Sequence, residues 1–369
     1  MQDAQLASLA ADALPRLAAG RMPGLALDMM LGTRLAARGY ANHSLKARLM
    51  RLAEGFAAEW RSLTPAALEE GSAAAVRDRI AELAEAERLG QTHPALAHAV
   101  RHAASHHMAP AVLGFDALRG PAPDSRTSAG WRAFAKALVH AYAAQRAGVR
   151  LEPPTSVGHV LRWLPRMRAD YVLPRSPPIA AADGTAALAT STAATEPSTS
   201  VGALLGDVLR LAEQAYAVAH VLLVLRDFEA PRLHSRLLPL LEPELRFVLS
   251  AMPRLQATLG EAAVDVVSEL LDGAKALGQT EASDATGAVR DAAAFVRRGQ
   301  RADGTWGDGD LAYHTTIAAM WALRDGTSPL SMLGRRQGDV VASQLVEDGV
   351  WALSTAAAAA AGGEETCQG

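Results

Sequence analysis

The chain has 369 residues, of which 50% are hydrophobic, 20% charged and 5% aromatic, with a formal net charge of -3. That apolar mass is enough for a large core and excludes general disorder, while the lack of a basic excess argues against a nucleic-acid reader. The one cysteine, Cys367, lies in the tail, which excludes an internal disulfide and a cysteine-based zinc site.

Taken in chain order, the apolar spacing is helical almost throughout. Leu45, Leu49, Leu52 and Phe56 recur at intervals of three and four, as do Trp131, Phe134, Leu138 and Tyr142, and again Leu237, Leu241, Leu245 and Leu249. Such spacing gathers apolar residues on one helical face. It predicts helices over 4–19, 24–38, 43–61, 73–88, 94–107, 128–147, 155–168, 200–227, 232–250, 256–278, 283–298, 311–324 and 336–360. No alternating β-branched run predicts a sheet. The short Gly-, Pro-, Asp- and Ser-bearing connections predict antiparallel helical hairpins, so the fold class is all-α.

One connection differs. The Pro/Ala/Thr-rich segment 173–200 carries Pro174, Pro177, Pro178 and Pro197 and reads as a flexible insertion, either an idle surface segment or a lid. The helices on both sides are equally apolar and need partners, so 1–369 reads as a single helical domain. The N-terminus lacks a positive segment followed by an apolar one, and no apolar run reaches the ~18 residues of a membrane span. His220 interrupts the longest candidate, Ala215 to Leu225. A cytoplasmic location with no membrane or nucleic-acid partner is expected.

The strongest local signal is Gln300-x-x-Asp303-Gly-x-Trp306-Gly307, followed by Asp308-Gly-Asp310-Leu-Ala-Tyr313-His314-Thr-Thr. A helix ends, a glycine turn follows, and Asp310 is placed to cap the next helix. The motif resembles the Gln-Trp repeat of triterpene cyclases and related α/α-barrel proteins. That resemblance implies helical hairpins wrapped into a partial or complete α/α toroid. The acidic Asp-x-Asp-Asp and Asp-Asp-x-x-Asp motifs of terpene chemistry are missing from the sequence, and aromatics are too few to guide carbocations. An isoprenoid cyclase is therefore the alternative rather than the first choice.

The second signal is Glu213-Gln-Ala-Tyr216-Ala-Val-Ala-His220, continuing to Leu225-Arg226-Asp227-Phe228. Tyr216 and His220 are four apart, and Glu213 and Asp227 are each seven from His220, so the four share one helical face. A polar stripe on an otherwise apolar helix calls for a satisfied buried network or a wet cavity. This segment, with Tyr313-His314-Thr-Thr, resembles a family of actinobacterial helical proteins of the DUF6895 type, and loosely the azinomycin-type aziridine synthases.

The resemblance implies a biosynthetic enzyme without metal or cofactor. Its reaction would be non-redox ring closure, in the sharpest form aziridine formation by sulfate elimination from a sulfated amino alcohol. His220 and His314 are then the base and polar catalyst, oriented by Asp227 and Asp310. Tyr216 and Tyr313 hydrogen-bond substrate, and Arg226, Arg297 and Arg298 are candidates for the sulfate. The implied partners are a small protein subunit and an acidic amino-group carrier protein steered by Arg162, Arg166 and Arg175. A non-catalytic helical scaffold subunit is the second alternative.

Other histidines read more plainly. His98, His102 and His106 form a ridge at i, i+4, i+8, either exposed or anion-binding, with a divalent-metal site as the alternative. His140 reads as core packing or as cavity lining, and His159 with Arg162, Trp163 and Arg166 as a solvated or partner-binding face.

Overall fold

The computed structural model describes residues 2–19, 26–63, 72–91, 93–172, 201–228, 233 and 235–324. Among them it is all-α, with no strand and one isolated bridge between Met108 and Glu152. The insertion 173–200, Arg175 within it, and the helix expected over 336–360 lie outside the described residues.

Fourteen α-helices are described. The first seven are α1 (Gln2–Ala18), α2 (Ala26–Gly39), α3 (His43–Leu63), α4 (Ala73–Arg88), α5 (Pro94–Ser105), α6 (Ala109–Leu113) and α7 (Ser128–Arg146). The next seven are α8 (Val157–Leu161), α9 (Leu164–Arg168), α10 (Val201–Leu225), α11 (Glu242–Leu259), α12 (Val264–Ala276), α13 (Ala288–Arg298) and α14 (Ala312–Leu323). Local chemistry starts them where the sequence says. Ser72 accepts from the Ala75 N–H at 3.3 Å to cap α4, and Thr127 accepts from Gly130 at 3.0 Å to cap α7. His93 caps α5 through Nδ1, just ahead of Pro94.

Three predicted helices come out differently; in 256–278 the first residues end α11, a 3-10 turn follows at Gly260–Ala263 and α12 begins only at Val264. The segment 155–168 is two short helices broken at Trp163, because Pro165 cannot continue the first as a regular helix. The leucine repeat from Leu237 runs through a 3-10 turn at Leu238–Leu241 before α11 begins at Glu242, with Pro243 in its first turn.

Six helices contact one another in cyclic order. α2 packs on α4, α4 on α7, α7 on α10, α10 on α12, α12 on α14, and α14 returns to α2. Others lie against this cycle: α3 on α2, α5 on α4, α11 on α10 and α12, α13 on α12 and α14, and α1 on α14. The segment Gly206–Leu225 of α10 is long and apolar enough to cross a membrane by length and composition alone, but 61% of it is buried in the molecule. Here it is a core helix.

The Gln300 hairpin joins α13 to α14 and ties in the first helix. Gln300 Nε2 donates to the Leu6 carbonyl at 2.9 Å and to Gly304 at 3.1 Å. Trp306 is fully buried, its indole N–H donating to the Val296 carbonyl at 2.7 Å. Its backbone N–H donates to the Thr316 hydroxyl at 3.0 Å. Gly304 has φ +87, and a Cβ there would stand 2.6 Å from the Leu9 carbonyl oxygen. Only glycine allows that turn to close on α1.

A buried ionic network joins the C-terminal ends of the cycle. Arg34 donates to Glu85 at 2.5 Å, and Arg88 stands 3.5 Å from the same carboxylate. Arg88 also donates to Asp227 at 3.1 Å, Tyr142 donates to it at 2.8 Å, and Arg146 lies at 3.6 Å. Arg226 and Arg324 both pair with buried Asp272. Asp227 follows the end of α10 with φ +54, so its side chain leaves the His220 face and turns into this network. It does not orient His220. Arg226, 2% exposed and paired with Asp272, is a structural ion rather than a substrate contact.

Candidate functional site

The N-terminal parts of α12 and α14 meet the middle of α10 around a second polar cluster. α12 is apolar at Val264, Val266, Val267, Leu270 and Leu271, yet it carries Asp265 and Glu269 one turn apart on one face. His314, the third residue of α14, reaches both. Its Nε2 stands 3.3 Å from Glu269 Oε1 and 3.7 Å from Asp265 Oδ1. Two carboxylate acceptors make Nε2 the protonated nitrogen. From α10 the Tyr216 hydroxyl donates to Asp265 Oδ2.

The cluster is only partly closed. The His314 side chain is 34% exposed, Asp265 17% and Glu269 2%. Two acceptor atoms inside it, Asp265 Oδ1 and Glu269 Oε2, are buried without a hydrogen-bond partner. Unsatisfied buried carboxylate oxygens are costly and ask for a donor.

Electrostatics follow from the geometry. Burial raises the Asp265 carboxyl above its ordinary range, and neighbouring Glu269 adds to that. The His314 charge and the Tyr216 and Thr315 hydroxyls pull it back. Burial and the adjacent carboxylates raise Tyr216, so the phenol stays protonated.

His220 lies one turn beyond Tyr216 on α10, its Nδ1 2.7 Å from the Tyr216 carbonyl. A carbonyl only accepts, so Nδ1 carries hydrogen and Nε2 is the nitrogen that binds or releases a proton. On α7, which packs on α10, His140 is held down to about 3 by burial and by the charges of Arg77, Lys136 and His220. Its Nδ1 is buried without a hydrogen-bond partner.

Of the residues singled out in the sequence, His220, His314 and Tyr216 come together. The others do not join them. Tyr313 is fully buried, its hydroxyl 3.3 Å from that of Thr33, about 100° round α14 from its neighbour His314. Asp310 sits in an exposed 3-10 turn, and the carboxylates on His314 are Asp265 and Glu269 instead. Arg297 bridges Asp3 at 2.7 Å and Glu281 at 2.7 Å, which pins α1 to the end of α13. Arg298 is exposed beside it. Arg162 and Arg166 flank the Trp163 ring at 4.9 and 5.1 Å, with Arg166 exposed. His159 accepts from the Ser156 N–H at 3.0 Å and so caps its own short helix. The exposed ridge sets His102 Nε2 3.3 Å from His106 Nε2. Among the described residues no group of three or more His, Cys, Asp or Glu side chains is arranged to hold a metal ion.

Asp265 and Glu269 were missed by the sequence reading. The signal was present: Asp265-x-x-x-Glu269-x-x-Asp272 puts three acids on one face of an otherwise apolar helix, the same anomaly that marked Tyr216 and His220.

Comparison of the chain with models of known protein families, with curated proteins and with solved structures finds no match in any of the three. The resemblances carried by the Gln300 and Tyr216 motifs rest on those residues alone.

Proposed function

We propose that the chain is an acid–base enzyme that binds a small primary amine at Asp265, Glu269 and His314 and closes a ring on its nitrogen. The sharpest form is aziridine formation from a sulfated amino alcohol. One observation carries the reading: Asp265 Oδ1 and Glu269 Oε2 are two buried acceptors without a hydrogen-bond partner, beside a partly exposed imidazole. An alkylammonium supplies the N–H donors they lack. The cyclic helix contacts support an α/α toroid as the scaffold, with this cluster towards the N-terminal ends of its inner helices.

Burial favours the neutral form of both partners. It lowers the proton affinity of a bound ammonium and raises that of Asp265. The proton passes to Asp265 Oδ1, while Tyr216 and His314 hold the carboxylates in place. The freed nitrogen lone pair attacks the neighbouring carbon, the C–O bond breaks, and its electron pair leaves with sulfate. Orientation for backside attack supplies a large part of such a rate, up to ~7–11 kcal/mol in the ideal limit. No step in this scheme draws on an oxidant or reductant.

The test is direct. Purified full-length chain is incubated with 2-amino-alcohol sulfate monoesters, and free sulfate and the ring product are followed by ion chromatography and NMR. Equal release of both, strongly reduced in Asp265→Asn and lowered in His314→Ala, is the expected result. Equal rates with and without protein across the ester series overturn the reading.

A further inference from the structure

We propose that His102 and His106, at the C-terminal end of α5, form a two-imidazole site for a divalent transition cation of the Zn²⁺ class. The site is separate from the α12 cluster and independent of the acid–base reading. Leu96, Val100 and Ala104 recur every fourth residue of α5 and are buried, and α5 packs on α4. His98, His102 and His106 stand two positions further on, about 200° round the helix, and all three are exposed. His93 caps the first turn and Pro94 follows it, so the backbone beneath the ridge is set by the fold.

The spacing of the second pair is that of a chelate. His102 Nε2 and His106 Nε2 stand 3.3 Å apart. With zinc–imidazole bonds of about 2.0–2.1 Å, that separation closes on one ion at an angle of about 104–111°, the tetrahedral value. At the same bond lengths a square or octahedral corner would need nitrogens about 2.8–3.0 Å apart. The two rings meet edge to face with centroids 4.6 Å apart, whereas those of His98 and His102 lie parallel at 6.5 Å. The pair nearer the helix end is therefore the one gathered for a shared ion.

The surroundings suit a cation. His102 is in the last turn of α5 and His106 is its C-cap, where the helix dipole presents partial negative charge. Arg101, the cation next in sequence, donates to the Ala147 carbonyl at 3.3 Å and lies 3.9 Å from Glu87, which partly offsets its charge. In the hydrogen-bonded pair one Nε2 carries the hydrogen between the rings. Moving it to Nδ1 of the same ring frees both Nε2 lone pairs with no net proton change. Two protein ligands leave two tetrahedral positions for water.

Zn²⁺ is titrated into the tag-free full chain, read by calorimetry and by NMR of the imidazole rings, and Co²⁺ is added as a coloured stand-in. Saturable binding of one ion that moves the His102 and His106 resonances is expected, with the intense visible absorption of four-coordinate Co²⁺. His102→Ala and His106→Ala, exposed changes with little cost to folding, each weaken binding by about tenfold or more. His98→Ala and Asp265→Asn leave it within about threefold. No saturation, or binding unchanged in both His102→Ala and His106→Ala, overturns the site. Loss of binding in Asp265→Asn alone assigns the ion to the α12 cluster and overturns it equally.

Discussion

Asp265 and Glu269, one turn apart on α12, both point at the same nitrogen of His314. Two like charges on one imidazole are stable only if a proton or a cation is shared among them. The three side chains therefore act as a unit.

The first prediction concerns that unit. Asp265→Asn lowers turnover of an amino-ester substrate on the order of 10²–10⁴-fold, the usual worth of a positioned base. His314→Ala removes the charge that lowers the Asp265 pKa. The acid limb of its kcat–pH profile therefore moves to higher pH. A limb that stays in place, measured from pH 4 to 9, separates Asp265 from the chemistry.

Stability against pH has two opposing contributions. Asp265 is raised in the fold above its ordinary 3.8. Between those values the native state holds the extra proton, so this group costs stability as pH rises through the window. His140 is depressed from 6.5 to about 3. There the unfolded chain binds the extra proton, so the stability is fully present above 6.5 and is lost as pH falls towards 3. Urea midpoints across pH 3–7 should lose their rising limb in His140→Gln and their falling component in Asp265→Asn. The opposite assignment would contradict the burial of both groups.

A third prediction separates structure from site. Asp227 is the counter-ion of Arg88 and a partner of Tyr142 and Arg146. Asp227→Ala leaves buried cations uncompensated and destabilises by about 3–5 kcal/mol, as breaking a buried pair does. His220→Ala, on the half-buried face, costs about 1 kcal/mol or less. Chemical denaturation of both variants decides it, and equal losses would return Asp227 to the His220 network.

The fourth tests the clasp. Gly304→Ala places a Cβ 2.6 Å from the Leu9 carbonyl at φ +87. The backbone penalty alone is about 1–2 kcal/mol. The thermal midpoint falls, and hydrogen exchange in α1 and in the first turn of α14 speeds up. Turnover falls with it, since His314 is set by that turn, although no site residue has changed.

Much of the fold was legible because periodicity is a local property. The helices at 73–88 and 128–147 fall within a residue of the observed spans, since Ser72 and Thr127 announce their starts. The Tyr216–His220 stripe was legible for the same reason. Asp265 was not, because its meaning depends on Tyr216 and His314, which lie 49 residues away in the Tyr216 hydrogen bond and on a different helix. Asp227 was misplaced because helical geometry was extended past Leu225, where the backbone turns left-handed at Asp227 and Phe228. Asp310 was favoured for being near His314 in sequence, whereas the third dimension supplied Glu269.

The bond from Gln300 to the Leu6 carbonyl spans 294 positions, and α14 packs on both α1 and α2. During synthesis the earliest helices leave the ribosome with one flank uncovered until α14 is translated. The circle is sealed only once α14 has been made, so a chain truncated before α14 would hold the same α1 and α2 with sticky, unmated sides. For this molecule the arrival of α14 sets when the ring becomes whole.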